Sequence, residues 1–217
     1  MLPHPAQKAS WSRWSCPGTA RPDLQASQTL TSSPGVVSYI LGLMPRYAAF
    51  LRGVSPMNLK MPALKAALEE VGFSDVKTLL SSGNVVFSGR RTTDVAIEKK
   101  IEAALEAHVG RKFGTIVRSI DELRALLDAE PYEPFRLPAG SKKVVTFLRT
   151  EPEKKLKLPP ALDGAQIWTL RGREALSSYV RSDKGPVFMT LLEKTFGKDV
   201  TTRTWDTVQK VARAGAG

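Results

Sequence analysis

Three polar features of this sequence are suited to binding an anion. Arg52 ends a short apolar run and leads into the loop that begins at Gly53. An arginine guanidinium group holds a carboxylate or phosphate through two parallel hydrogen bonds. The turn Ser82-Gly83-Asn84 offers hydroxyl, amide and backbone N–H donors, and successive N–H groups in a turn can form an anion-binding nest. Arg203 precedes Thr204, a residue suited to cap the last helix, whose N-terminus attracts anions.

Each feature also has a structural interpretation. Arg52 could pair with a nearby acid, and the turn could need its glycine and asparagine only for their backbone angles. The first and third strands of the predicted sheet are adjacent and antiparallel, so the end of the first strand meets the start of the third. We therefore predict that Arg52 projects toward the turn and shares a polar cleft with Ser82, Gly83 and Asn84. Arg203 is a further candidate.

The scarcity of cysteine and histidine argues against most nucleophilic and zinc chemistry. The chain has one cysteine, Cys16, and two histidines, His4 and His108. Cys–His or Ser–His–Asp catalysis and Cys/His zinc sites need more of these side chains. The sequence also lacks a P-loop, a Gly-rich dinucleotide motif and paired carboxylates at metal-ligand spacing. We predict no metal and no cofactor, and we expect His108 to pack half-buried on the apolar face of its helix.

The elements that would position the candidate residues alternate between strand and helix. Residues 44–118 are predicted to form a strand, a helix, a hairpin of two strands, a second helix and a fourth strand. Apolar residues recur at helical spacing in both helices, which are expected to end at Gly72 and Gly110. The resulting order, βαββαβ, is that of a ferredoxin-like sandwich.

Residues 119–217 repeat much of this plan. Ser119-Ile120-Asp121-Glu122 is a capping box that begins a connecting helix. Four strands and a helix are predicted after it, and the Pro- and Lys-rich residues 151–160 leave room for only a short or broken helix between the first two strands. A final helix, residues 204–214, is additional.

The tripeptide Phe50-Leu51-Arg52 recurs as Phe147-Leu148-Arg149 in the first strand of each half. We therefore predict an α+β fold of two ferredoxin-like (βαββαβ) subdomains packed side by side, residues 44–118 and 119–217, with an extra C-terminal helix. Residues 1–43 show no sustained apolar periodicity and are interpreted as a disordered extension or a mis-assigned start, with a transit peptide as an alternative.

Composition and charge narrow the class of protein. The chain is 42% hydrophobic and 24% charged, which excludes a collagen, a coiled coil and a disulfide scaffold. Its net charge of +11 is spread over both halves, and such a charge suits nucleic acids or phosphorylated ligands but also keeps a protein soluble. The apolar stretch Val36–Leu43 is too short to span a bilayer. We expect a cytoplasmic protein with no membrane partner, and the oligomeric state is left open.

For two further residues we expect a structural role rather than a ligand-binding one. Trp205 lies at helical spacing with Val208 and Val211, so it is expected in the core rather than as a stacking platform. Asp183 is expected to cap the helix that begins near Pro186.

Three motifs occur in order along residues 44 to about 213. They are Arg46-Tyr47-Ala48-Ala49-Phe50-Leu51-Arg52-Gly53, then Val76-Lys77-Thr78 leading into Ser82-Gly83-Asn84-Val85-Val86-Phe87, and finally Thr201-Thr202-Arg203-Thr204-Trp205-Asp206-Thr207-Val208. Together they resemble the bacterial domain-of-unknown-function family numbered 1697. The resemblance implies two ferredoxin-like subdomains and brings no established activity, substrate or cofactor. Thr204 and Asp206 replace two asparagines of the closing motif, and Asp206 would repel an anion, which favours the Arg52 cleft.

Three classes of function follow. The expected function is noncatalytic binding of a small anionic or phosphorylated ligand near Arg52. The alternative is weak nucleic-acid binding through the basic surface, since a ferredoxin-like sheet is also an RNA-recognition platform, although Gly83–Phe87 lacks that module's aromatic residues. The second alternative is an enzyme that uses lysine, tyrosine or carboxylates. A protein-interaction role is the remaining interpretation.

Overall fold

The computed structural model describes residues 44–152, 156–181 and 186–216. Within these residues the chain forms two four-stranded antiparallel sheets and five helices, which give an α+β fold. The predictions for residues 1–43 and for Asp183 lie outside the described residues. None of the described helices is long and apolar enough to cross a bilayer.

The first sheet takes all its strands from the first half of the fold. They are β1 (Arg46–Leu51), β2 (Ser74–Leu79), β3 (Asn84–Ser88) and β4 (Thr115–Ser119), and they lie in the order β2-β3-β1-β4. Two helices, α1 (Met61–Glu70) and α2 (Asp94–Val109), pack on one face of this sheet. As expected, α2 ends at Gly110, whose φ of 70° suits glycine.

The second sheet has the same strand order and a different arrangement of helices. Its strands are β5 (Lys142–Leu148), β6 (Ala165–Arg171), β7 (Glu174–Tyr179) and β8 (Val200–Thr204), in the order β6-β7-β5-β8. Helix α3 (Ile120–Asp128) precedes β5, α4 (Val187–Phe196) precedes β8, and α5 (Trp205–Gly215) follows it.

The segment between β5 and β6 differs from its expected form. Its described residues contain no helix, so the short or broken helix expected within residues 151–160 is absent from that part of the chain. Three prolines explain the difference, because proline lacks an N–H group and restricts the residue before it. They are Pro152, Pro159 and Pro160.

The central strands of the two sheets pair in the same register. Phe50 of β1 lies opposite Asn84 of β3, and Phe147 of β5 lies opposite Glu174 of β7. The rings of Phe50 and Phe147 stack with their centroids 4.4 Å apart, so the repeated Phe-Leu-Arg tripeptides meet where the sheets face each other. Two aromatic rings in this arrangement contribute about 1 kcal/mol beyond the burial of their area.

Three apolar clusters form the core. One lies between the first sheet and its two helices, and another lies between the second sheet and α4. The remaining cluster joins the inner faces of both sheets to α3 and α5, and it buries Val208 and Val211. Trp205 is half-buried at its edge and meets the Tyr132 ring edge-on, with centroids 5.3 Å apart. This position agrees with the expected packing role of Trp205.

Two predicted helix caps are confirmed. Ser119 and Glu122 form the reciprocal hydrogen bonds of a capping box at the start of α3. The Thr204 side chain accepts a hydrogen bond from the Thr207 N–H at the start of α5. These caps fix where the chain leaves β4 and β8 and turns into a helix.

Candidate anion-binding site

A cavity of about 550 Å³ lies against α4 in the second half of the molecule. Residues of β5 and β8 line it from the side of the second sheet, and Arg52 and Gly53, which follow β1, also line it. In the first half two helices cover the equivalent sheet face, whereas α4 alone does so among the described residues of the second half. Helix α4 packs toward β6, whereas α2 in the first half packs on β4, so the sheet face beside β8 is left open.

The cavity combines apolar walls with an excess of positive charge. Its apolar lining includes Val144, Phe188, Met189 and Val200. Three arginines and two acids also line it: Arg52, Arg181, Arg203, Asp163 and Glu193. Charges beside low-dielectric walls interact more strongly than charges in open water. This lining suits an anion that also carries apolar atoms.

Arg52 lies at one end of the cavity and reaches α4. Its Nη2 donates to Oε1 of Glu193 at 3.1 Å, and the two side chains are 39% and 38% exposed. An ion pair this exposed contributes about 0.2–1 kcal/mol to stability. Glu193 is the one partner of the Arg52 guanidinium among the described residues, so several of its N–H donors remain available for a ligand.

Arg203 is held by carbonyl oxygens. Its Nη2 donates to the Leu51 carbonyl at 2.7 Å and to the Ser82 carbonyl at 3.0 Å, and its Nε donates to Oδ1 of Asn84. The guanidinium carbon lies 5.7 Å from the centre of the Phe50 ring. Burial lowers the pKa of Arg203 to about 10, which still leaves it protonated at pH 7. Within the described part of the chain no carboxylate contacts this cation.

The turn Ser82-Gly83-Asn84 lies behind Arg203 and is not part of the cavity lining. The Ser82 and Gly83 carbonyls accept from Arg203, and the buried Asn84 amide donates to Ser82 Oγ at 3.0 Å. Gly83 has a φ of 72°, and a Cβ there would lie 2.8 Å from the Val54 side chain, so the turn requires glycine. Among the predicted site residues, the cavity thus brings together Arg52 and Arg203, while the turn contacts only the second of these.

The two arginines at the matched positions, Arg118 and Arg149, contact carboxylates. Arg118 of β4, which corresponds to Arg203 of β8, donates through Nε to Glu174 and through Nη2 to the Leu148 carbonyl at 2.7 Å. Arg149, which corresponds to Arg52, contacts three acids at 2.8 Å each: Glu98, Glu102 and Asp199. Arg118 and Arg149 therefore contact one and three carboxylates, whereas Arg52 contacts one and Arg203 none among the described residues.

Sequence reasoning selected only Arg52 and Arg203 among the cavity residues, and it misplaced one other residue. Glu193 and Met189 carry no local signal, because their role depends on a contact with a distant part of the chain. His108 is exposed rather than half-buried, since it lies in the last turn of α2, and its Nδ1 is 3.1 Å from Oε2 of Glu70. Among the described residues no group of three or more His, Cys, Asp and Glu side chains is arranged to hold a metal ion.

The chain belongs to a family described as proteins of unknown function, DUF1697, whose model matches residues 44–174. This match confirms the family resemblance of the first two motifs and ends before the closing motif, Thr201–Val208. No curated protein shows significant similarity to this chain.

One solved structure with a similar fold is that of the conserved bacterial protein SP0830 from Streptococcus pneumoniae. It has a TM-score of 0.55 and 19% sequence identity, and the similarity covers 79% of this chain and 98% of that one. At this identity the similarity concerns the fold alone.

Proposed function

We propose that the protein binds a small anionic or phosphorylated ligand, without catalysis, in the cavity beside Arg52. The observation that carries this proposal is the excess of positive charge among the described residues that line the cavity. Three arginines and two acids line it, and Arg203 contacts carbonyl and amide oxygens but no carboxylate among the described residues. A bound anion would supply the missing negative charge.

The architecture supports the same proposal. The strand orders of the two sheets, β2-β3-β1-β4 and β6-β7-β5-β8, both match the ferredoxin-like arrangement. We propose that the chain consists of two such subdomains. Among the described residues the second has no first crossover helix, its α4 packs toward β6, and its ligand would occupy the open face beside β8. Nucleic-acid binding remains an alternative, favoured only by the net charge of +11.

Thermal unfolding in the presence of small anions tests the proposal. A ligand that binds only the folded protein adds about 2.7 kcal/mol of stability when its concentration is 100 times Kd. We expect a set of carboxylates and phosphates to contain members that raise the Tm of the wild type and raise that of Arg52→Ala much less.

Arg124→Ala is the matched control. Arg124 is an exposed arginine of α3 that pairs with Asp121, and it does not line the cavity. Its removal changes the net charge by the same amount, so its response to anions should equal that of the wild type. If no anion raises the Tm, or if both variants respond equally, the proposed function is wrong.

A further inference from the structure

In the first half of the molecule, the position equivalent to the cavity is occupied by the side chain of Glu98. This side chain is fully buried on α2; its Oε1 accepts from the Val117 N–H at 3.0 Å and its Oε2 accepts from Arg149 Nη1 at 2.8 Å. Val117 belongs to the outer strand β4, and Arg149 directly follows the central strand β5. One carboxylate thus bridges an unpaired edge N–H group and an arginine from the other half of the molecule.

Helix α4 lacks this carboxylate. Glu102 contacts Arg149, and Glu193 makes the equivalent contact with Arg52. One helical turn before Glu102 the chain has Glu98, whereas one turn before Glu193 it has Met189. This alignment of α2 with α4 also pairs buried apolar residues, because Ile97 and Ile101 on α2 then correspond to Phe188 and Leu192 on α4.

Met189 does not fill the position of the missing carboxylate. Its side chain is 42% exposed and lines the cavity. A thioether accepts hydrogen bonds only weakly and carries no charge, so it cannot replace either contact that Glu98 makes.

In the second half, the backbone N–H group that corresponds to that of Val117 belongs to Thr202. The Leu148 N–H donates to the Arg173 carbonyl at 2.9 Å, on the β7 side of β5. Alternate residues of a strand point the same way, so the N–H of Thr146 also faces β7. Thr202 lies opposite Thr146, and it therefore directs its N–H to the outer edge of β8. Of the residues that the structure describes, none provides an acceptor for this N–H.

We propose that the carboxylate of a ligand occupies in the second half the place that the Glu98 carboxylate holds in the first. It accepts from the Thr202 N–H and from the Arg52 guanidinium, beside Met189. This inference rests on the proposed function and narrows it to one ligand chemistry and one position.

The walls of the cavity define the rest of the ligand. Val144, Phe188 and Val200 line the space beyond the two donors, and about 550 Å³ holds more than a free acid group. The ligand class is therefore a carboxylic acid with an alkyl or aryl body. The two oxygens of a carboxylate match two donors, the Thr202 N–H and the Arg52 guanidinium, as the Glu98 carboxylate matches its two. A phosphate would leave further oxygens against apolar atoms.

Octanoate is a suitable probe, with octanol as its neutral counterpart and inorganic phosphate as an anion without an apolar body. Calorimetric titration of the wild type should give saturable binding of octanoate and at least tenfold weaker binding of octanol and phosphate. Arg52→Ala should weaken octanoate binding by about 10- to 100-fold, the range expected for a hydrogen bond to a charged group.

Met189→Glu is the decisive variant, because it restores the internal carboxylate. Octanoate binding should fall at least tenfold in Met189→Glu and should change less than about threefold in Met189→Gln, which has similar size and no charge. In ¹H–¹⁵N NMR spectra without ligand, the Thr202 amide proton should shift downfield in Met189→Glu and stay near its wild-type position in Met189→Gln.

Each outcome has a defined meaning. Equal octanoate affinity in Met189→Glu and the wild type overturns the inference, and so does an unshifted Thr202 amide in Met189→Glu. If phosphate binds in an Arg52-dependent manner and octanoate does not, the inference is wrong while the proposed function stands. If octanoate, phosphate and a broader set of anions all fail to bind the wild type, the proposed function fails as well.

Discussion

Arg118 and Arg203 occupy matched positions in the outer strands of the two sheets, and their surroundings differ in charge. Both donate to backbone carbonyls across the junction, and each guanidinium carbon lies 5.7 Å from a phenylalanine ring centre. Arg118 has the Glu174 carboxylate at its Nε, whereas Arg203 has the Asn84 amide. The same geometry is therefore neutralised in one half and left cationic in the other.

The second pair of arginines differs in the same direction. Burial alone would lower the pKa of Arg149, but its contacts with Glu102 and Asp199 raise the pKa above the ordinary value. Arg52 has one acidic partner, Glu193, among the described residues. Arg118 and Arg149 thus hold the two parts of the molecule together through ion pairs, whereas Arg52 and Arg203 keep part of their charge available at a cavity.

The largest expected difference concerns stability after loss of the matched arginines. Arg149→Ala leaves the fully buried Glu98 without its cation, and breaking such a pair costs about 3–5 kcal/mol. Arg52→Ala removes a pair whose side chains are both well exposed and should cost about 0.2–1 kcal/mol. Urea unfolding at pH 7 measures both losses. Equal losses would show that the two arginines have the same structural role and would remove the contrast between the halves.

A smaller effect is expected where the acid beside Arg118 is made to resemble the amide beside Arg203. Glu174→Gln keeps an oxygen at Arg118 Nε but removes its charge, so Arg118 would resemble Arg203 beside Asn84. We expect a loss of about 1 kcal/mol in the free energy of unfolding, because the ion pair becomes a hydrogen bond from the Arg118 cation to a neutral amide.

Glu69→Gln is the control for this substitution. Glu69 forms an exposed pair with Lys65 on α1, and its change should stay within about 0.5 kcal/mol of the wild type. If Glu174→Gln is equally neutral, an amide satisfies a buried arginine as well as a carboxylate does, and the charge at Arg203 gives no reason to expect an anion.

The local features of the fold could be predicted from the sequence. Apolar spacing and glycine positions located the helices and strands, and the Ser119–Glu122 capping box is present as predicted. The repeated Phe-Leu-Arg tripeptide marked two strands that meet through Phe50 and Phe147. These signals lie within short segments, where side-chain periodicity and turn chemistry determine the structure.

The candidate site depends on contacts that no short segment encodes. Arg203 meets the Ser82 turn across more than a hundred residues, and the salt bridge from Arg52 to Glu193 spans a similar separation. The cavity lies beside β8 because α4 packs toward β6, and no short segment of the sequence signals that position. Arg52 and Arg203 could therefore be chosen by residue type, while their partners could not.

A crystal structure of the protein with octanoate tests the central claim most directly. The carboxylate oxygens should lie about 2.7–3.2 Å from the Thr202 backbone nitrogen and from a guanidinium nitrogen of Arg52, with the alkyl chain against Phe188 and Val200. Such a complex would place the ligand where Glu98 lies in the first half. A carboxylate bound elsewhere, or a Thr202 N–H already satisfied by an acceptor from this chain, would contradict the claim.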